Sequence, residues 1–411
     1  MTDQPNASQQ DDYTQYASTQ EEILQAVREN SVRRGLFFLK NLSALDVDGI
    51  VQDIEQLGRD YDMELWRERA EEAGISSAAL DTLDAHDPPV PYPYYFCLPG
   101  DLVREPRLVL YYRNVAMISN KVMNNIGLDT TQHEISMPLG VDKAQAIAQH
   151  LNKITSALVM ETGLYGQRRH LEMVYVNIGA SLDGGWRNEV GRLAYVSVIS
   201  PIVLHLHRLQ KLKSIIFKVK GRIVLEDEDE NDNGKIQELE LQGRSEQEVA
   251  TLLSDLEDQR IVYRQINLTN GNSVLLNRQM YWHNEETNRR YRIGPDLITE
   301  VSSDTFPWAA ELKGGADPAG SDEHWKTATQ AFNRMIDAAE KTHRPIPQLS
   351  FMATILVDRV AQEAALWLQQ GKLASVHNLT KIANDPAMQQ DFLNQMVAFF
   401  EMTLDETGNS T

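Results

Sequence analysis

The hydrophobic period of this chain changes near residue 165, and that change limits the folds open to it. Before it, apolar residues recur at helical spacing: Ile23, Leu24 and Val27, then Leu42, Val47, Ile50, Ile54 and Leu57, then the run VDKAQAIAQHLNKITSALVME over residues 141–161. Each places one apolar face every 3.6 residues, and residues 105–126 follow the same rule. The stretch HDPPVPYPYYFCLPG over residues 86–100 interrupts them as a rigid connector, because each proline pushes the preceding residue out of the helical region. After residue 165 the pattern alternates. Residues 171–179 (LEMVYVNIG) read as a strand, residues 215–225 and 235–241 as the arms of a hairpin with an acidic tip, and residues 261–276 as two strands joined at Asn270 and Gly271. Residues 193–209 and 245–256 read as helices among them.

The expected organisation is therefore a polar, disordered tail over residues 1–20 and a mainly helical region over 21–165. A mixed region with the acidic hairpin follows over 166–260, then a strand-and-helix core over 261–385, and a C-terminal helix and tail over 386–411. The fold class is α/β with a helical N-terminal portion. A formal charge of −20 excludes a surface that attracts nucleic acid or anionic membrane from all sides, so any DNA contact must come from a local basic face. Cys97 is the single cysteine, which leaves no intrachain disulfide or cysteine zinc site and fits a reducing cytoplasm. The polar N-terminus shows no secretory signal and no window reads as a membrane span, so a cytoplasmic protein is expected.

The chemistry lies in residues 292–313. RIGPDLITEV and WAAELK read as short strands separated by SSDTFP, a turn-forming cluster. Adjacent strands bring Asp296 beside Glu311. Residues two apart on a strand share a face, so Lys313 joins Glu311 while Leu312 faces the core. Two carboxylates and an ammonium suit a hard divalent ion such as Mg²⁺ at a phosphate. The bland reading is an exposed hairpin with a surface ion pair worth almost nothing. Beyond it, Ser321 reads as the N-cap of a helix to about Glu340, with Asp322 and Glu323 in its first turn, and residues 349–357 (LSFMATILV) as an interior strand.

Gly294-Pro295-Asp296 with Glu311-Leu312-Lys313 resembles the PD-(D/E)XK nuclease signature. The run ELKGGADPAGSDEHWKTA, together with YPYYFCLPGDL near residue 92 and FMATILVDRVAQEAALWLQQGKL from residue 351, is similar to type II restriction endonucleases of the XcyI kind. The resemblance implies a restriction-endonuclease-like core, with a mixed central sheet flanked by helices. It also implies Mg²⁺-dependent cutting of double-stranded DNA at a short palindrome by a homodimer, with a DNA methyltransferase as genomic neighbour. Asp296 and Glu311 would be metal ligands together with the Leu312 backbone carbonyl, and Lys313 the catalytic lysine. A further acidic ligand from an earlier helix is common in such enzymes, and no residue here identifies it.

Three basic groups are candidate DNA contacts: Arg289, Arg290 and Arg292 leading into the catalytic strand; Gln167 to His170, with Arg168 and Arg169; and Arg208, Lys211, Lys213, Lys218, Lys220 and Arg222. Each can equally balance neighbouring acids on a solvated face. Lys326 is placed to meet a phosphate, and His324 and Trp325 read as packing residues. Residues 229–240 (DENDNGKIQELE) match a calcium-loop pattern, but alternating flanks favour a solvated hairpin tip. Two other functions stay open: a structure- or damage-specific repair nuclease, and a non-catalytic DNA- or calcium-binding interaction protein.

Overall fold

The structure is a computed structural model that describes residues 13–135, 137–162, 166–219, 236–302 and 305–403. The described chain divides into two units. One comprises residues 34–186; the other comprises residues 13–33, 187–219 and 236–403.

The unit over residues 34–186 is helical. It takes the C-terminal part of α1 (Gln20–Leu45), then α2 (Val47–Asp60), α3 (Met63–Arg69), α4 (Ser77–Asp84), α5 (Pro99–Arg104), α6 (Leu108–Val115), α7 (Asn120–Asn125), α8 (Val141–Thr162) and the first part of α9 (Arg169–Arg208). Its core gathers Ile50, Ile54, Leu80, Phe96, Leu110, Tyr111, Ala144 and Leu151. Inside it Arg113 donates to Glu134 at 2.7 Å, both side chains at 1% exposure or less. The pair is also held by Thr130 and the Ile118 carbonyl.

Residues 171–179, expected as a strand, are instead part of α9. The β-forming composition misleads, because burial falls on His170, Val174, Asn177, Ile178, Ser181 and Leu182, which is a helical and not an alternating spacing. By length and composition the apolar part of α9 is also sufficient for a membrane span, contrary to the sequence expectation. Here Val198, Ile199, Ile202, Val203 and Leu206 are buried in protein core, as in the central helix of a packed domain.

The second unit is built on an eight-stranded mixed sheet. Its strands are β1 (Leu212–Val219), β2 (Ile236–Glu240), β3 (Ile261–Leu268), β4 (Ser273–Leu276), β7 (Leu297–Glu300), β8 (Trp308–Lys313), β9 (Gln348–Ala353) and β10 (Ser375–Asn378), in the order β10-β9-β8-β7-β4-β3-β1-β2. The three strands β8, β9 and β10 are parallel, and all other pairings are antiparallel. Gly271, at φ 96°, makes the tight β3–β4 connection. Between β4 and β7 the chain leaves the sheet as a separate two-stranded ribbon, β5 (Met280–Asn284) and β6 (Arg289–Ile293).

Helices α10 (Glu246–Asp258), α11 (Ser321–Lys341), α12 (Asp358–Gln369), α13 (Leu379–Asn384) and α14 (Pro386–Phe400) complete the unit. The sheet separates two apolar cores. Trp308, Ala310 and Leu312 of β8 join Val249, Leu253, Met396 and Phe400 on one side. Ala309 and Phe351 join Trp325, Ala328, Phe332 and Met335 of α11 on the other. Local signals set the helix ends: Ser245 and Glu248 form a reciprocal capping box on α10, and Asp385 caps α14 ahead of Pro386. Gly320, and not Ser321, is the N-cap of α11; the Ser321 hydroxyl turns inward to the Ile355 carbonyl.

Order begins before residue 20. Ala17 is buried, the Ser18 amide donates to the Leu356 carbonyl at 2.8 Å, and Asn378 donates to the Tyr16 carbonyl and to Ser18. The hairpin arms expected around the acidic tip are β1 and β2, paired antiparallel. The tip itself, and with it residues 229–235 of the calcium-loop pattern, lies outside the described residues.

Candidate active site

Register alone brings the first two acids together. Leu297 of β7 pairs with Ala310 of β8, so Asp296, one residue before β7, comes level with Glu311. The backbone fixes Asp296 twice: its carbonyl accepts from the Asn277 amide at 2.8 Å, and its Oδ2 accepts from the Leu312 amide at 2.7 Å. Glu311 and Lys313 lie on one face of β8 by the alternation of a strand, while Leu312 enters the apolar core. Lys313 Nζ donates to Glu311 Oε2 at 2.7 Å and reaches Asp296 Oδ2 at 3.4 Å. The surface ion pair of the bland reading is not what forms, because Glu311 is 4% exposed.

Burial dominates the electrostatics. It pushes the Glu311 carboxyl up to about 8, helped by the charge of Asp296 and opposed by Lys313. For Lys313 burial pulls downward, and the two carboxyls more than reverse it, so the ammonium stands above its ordinary value. A buried carboxyl beside another is poised for a cation, which stabilises the charged form of both and displaces a proton. Among the described residues no group of three or more His, Cys, Asp or Glu side chains converges on a metal position. A pair of carboxylates fits Mg²⁺, which keeps waters in its octahedron, better than an ion that demands a full protein cage.

Three further features belong to this site, and sequence reasoning missed them. Gly314 packs against α9: a Cβ there would stand 2.3 Å from Ala194 Cβ and 3.0 Å from the Val190 carbonyl. One residue along α9, the Tyr195 hydroxyl is buried without a well-formed hydrogen bond. Its pKa is driven well above the usual tyrosine range by burial, then by Asp296 and Glu311. His324, read as a packing residue, lies against Gly315, where a Cβ would meet its Cε1 at 2.3 Å. Burial and then the Lys313 charge hold its imidazole below its ordinary pKa, against Asp317 and Glu323. The neutral ring is a proton acceptor near the ammonium. The signal was present in the pair Gly314-Gly315, which read only as the end of a strand.

Glu189, also on α9, does not supply a further acid. Its carboxylate is taken by Arg192 and Arg260, each at 2.8 Å. Arg289, Arg290 and Arg292 lie exposed on β6, directly ahead of Asp296. Lys326 is exposed on α11, 3.6 Å from Glu323. Arg168 and Arg169 belong to the helical unit, where Arg169 pairs with Glu172. Their neighbour His170 is no part of a basic surface: it is buried, bonded to the Gln167 carbonyl, and burial lowers its pKa to about 4. The third basic group disperses as well. Arg208 pairs with Glu246, Lys211 with Glu401, and Lys218 is buried; Lys220 and Arg222 lie outside the described residues.

The chain was compared with known proteins. The family model described as restriction endonuclease BsobI matches residues 169–392, more than half of the chain and the whole of the site. Curated relatives include type II restriction enzyme AvaI from Nostoc sp. and from Anabaena variabilis, each 42% identical over 71 residues. Type II restriction enzyme BsoBI from Geobacillus stearothermophilus is likewise 42% identical over 71 residues. These matches cover 17% of this chain and 22% of each relative. The broad resemblance to type II restriction endonucleases therefore holds, with BsobI as the family named and nothing that bears on the narrower XcyI likeness. The mixed sheet flanked by helices is consistent with a PD-(D/E)XK-like fold, and the chain belongs to the BsobI family of restriction endonucleases.

Proposed function

We propose that this protein is a Mg²⁺-dependent type II restriction endonuclease that hydrolyses phosphodiester bonds in double-stranded DNA at a short palindromic site. It works in the cytoplasm as a homodimer, one site per strand, because protein symmetry mirrors that of the target. A methyltransferase encoded nearby protects the host's own sites. The observation that carries this reading is the convergence of Asp296, Glu311 and Lys313 on one buried point at the end of β8.

Asp296 and Glu311 would hold the cation, with the Leu312 carbonyl as a third protein ligand. When bound, Mg²⁺ supplies charge neutralisation at the phosphate and raises the acidity of nearby water. The residues do the rest. The Leu312 amide keeps Asp296 in position. Lys313 shares its ammonium between two carboxylates; once their charge is satisfied otherwise, its Nζ is free to donate to a phosphate oxygen as negative charge builds there. His324, neutral at the same end of the strand, accepts a proton. Arg289, Arg290, Arg292 and Lys326, with Arg168 and Arg169, contribute positive charge to the DNA.

The test is digestion of plasmid and phage DNA with Mg²⁺ and with a chelator. Discrete, reproducible fragments that vanish on chelation are expected. Random nicking, or cleavage only at junctions or mismatches, would favour a repair nuclease instead.

A further inference from the structure

The ribbon β5–β6 has two unlike faces. Cross-strand pairing sets Tyr281 opposite Arg292 and His283 opposite Arg290; directly opposed residues share a face, and all four are exposed. The other face is packed. It carries Trp282, Tyr291 and Ile293, with Trp282 stacked on Phe306 at 5.9 Å. Lys341 lies 5.6 Å over Tyr291, and Asn284 donates to the Lys341 carbonyl. The inner face thus fixes the ribbon to α11, and the outer face is left to solvent.

That outer face carries two arginines without carboxylate partners among the described residues. Arg67, Arg107, Arg113, Arg192 and Arg260 are each held by carboxylates, as befits a molecule with a net charge of −20. Arg290 and Arg292 make no ion pair among the described residues. Two guanidiniums on a ribbon packed against α11, beside a half-exposed tyrosine, are open to an external acceptor. Position narrows the acceptor. Arg292 is four residues from Asp296, at most about 14 Å of extended chain, or about four base steps of duplex. A two-stranded ribbon fits the major groove, where arginine meets the paired acceptors of guanine.

Building on the nuclease reading above, we propose that the outer face of β5–β6 enters the major groove within about four base pairs of the cut, with Arg290 and Arg292 reading base edges. Glu285 and Glu286 in the turn keep the tip off the phosphate backbone, so the strands and not the tip enter the groove. Tyr281 stands directly opposite Arg292 on the same face.

The experiment uses the full chain, a duplex containing a site that the wild-type protein cuts, and a scrambled duplex of equal length. Binding is measured with Lys313→Ala as the parent and without divalent cation, so that no DNA is consumed. Arg290→Ala and Arg292→Ala should each weaken cognate binding by roughly tenfold while changing scrambled binding far less. The Arg290→Lys/Arg292→Lys double variant keeps the charge without the fork; it should retain scrambled binding and lose discrimination. An unchanged melting temperature confirms that each variant folds. Equal losses on both duplexes, or discrimination kept by the alanine variants, would overturn the groove assignment and leave the nuclease standing. A wild-type protein that cuts no duplex removes both.

Discussion

Lys313 Nζ lies 2.7 Å from Oε2 of the buried Glu311, two residues away on the same face of β8. This ammonium is the resident counter-charge of the acid pair. Lys313→Ala should lower the cleavage rate by about 10²-fold or more, the scale of removing one preorganised charge from a developing oxyanion. Binding of duplex DNA should survive. A variant that cuts at the wild-type rate would remove Lys313 from the mechanism.

Two adjacent glycines differ in what surrounds them. At Gly314 a methyl group would strike Ala194 Cβ and the Val190 carbonyl on α9, so Gly314→Ala should destabilise the protein by about 1–3 kcal/mol. At Gly315 it would strike the His324 ring, which can rotate away. Gly315→Ala should therefore keep its melting temperature and lose activity. The opposite ranking in thermal unfolding would show that the site end of β8 is packed differently.

The Tyr195 hydroxyl is buried without a well-formed bond beside the acids. Removing an unsatisfied polar atom releases its desolvation cost, about 1 kcal/mol or more. Tyr195→Phe should melt at the wild-type temperature or above it, and a clear loss of stability would mean that the hydroxyl has a partner in solution.

His377 sits in a buried polar chain, bonded to Ser375 at 2.8 Å, which bonds Ser350, which accepts from Trp308. Burial lowers its pKa to about 4, from an ordinary value of 6.5. Between those values the unfolded chain binds more protons than the folded one, so stability falls as the pH drops from about 6.5 through about 4. The loss attributable to this group is at most about 3 kcal/mol. His377→Gln should flatten that dependence when melting temperatures are compared at pH 7 and at about pH 4.5; equal slopes would contradict the assignment.

The acid pair and its lysine were legible because a strand has a period of two and SSDTFP marks a turn. With those, the Asp296–Glu311 level and the Glu311–Lys313 face follow from spacing alone. The helical first half was legible for the same kind of reason, since α8 and α2 carry regular apolar faces. What failed was composition standing in for period: LEMVYVNIG is rich in β-formers, yet its buried positions recur helically within α9. The strand β5 escaped notice because Met280 to Asn284 is short and only half apolar, stabilised by packing on α11 and not by its own sequence. Tyr195 and His324 could not be placed, since the nearness of Tyr195 to the acids and of His324 to Gly315 depends on how α9 and α11 meet the end of β8. Glycine spacing was the one local trace of that meeting.

The most direct measurement is the single-turnover cleavage rate of a duplex site in Mg²⁺ for Asp296→Ala, Glu311→Ala and the double variant. If the two carboxylates act as one unit on one phosphate, each single change should abolish cleavage, and the double should be no worse than either alone. Either single variant cutting at the wild-type rate would contradict the account.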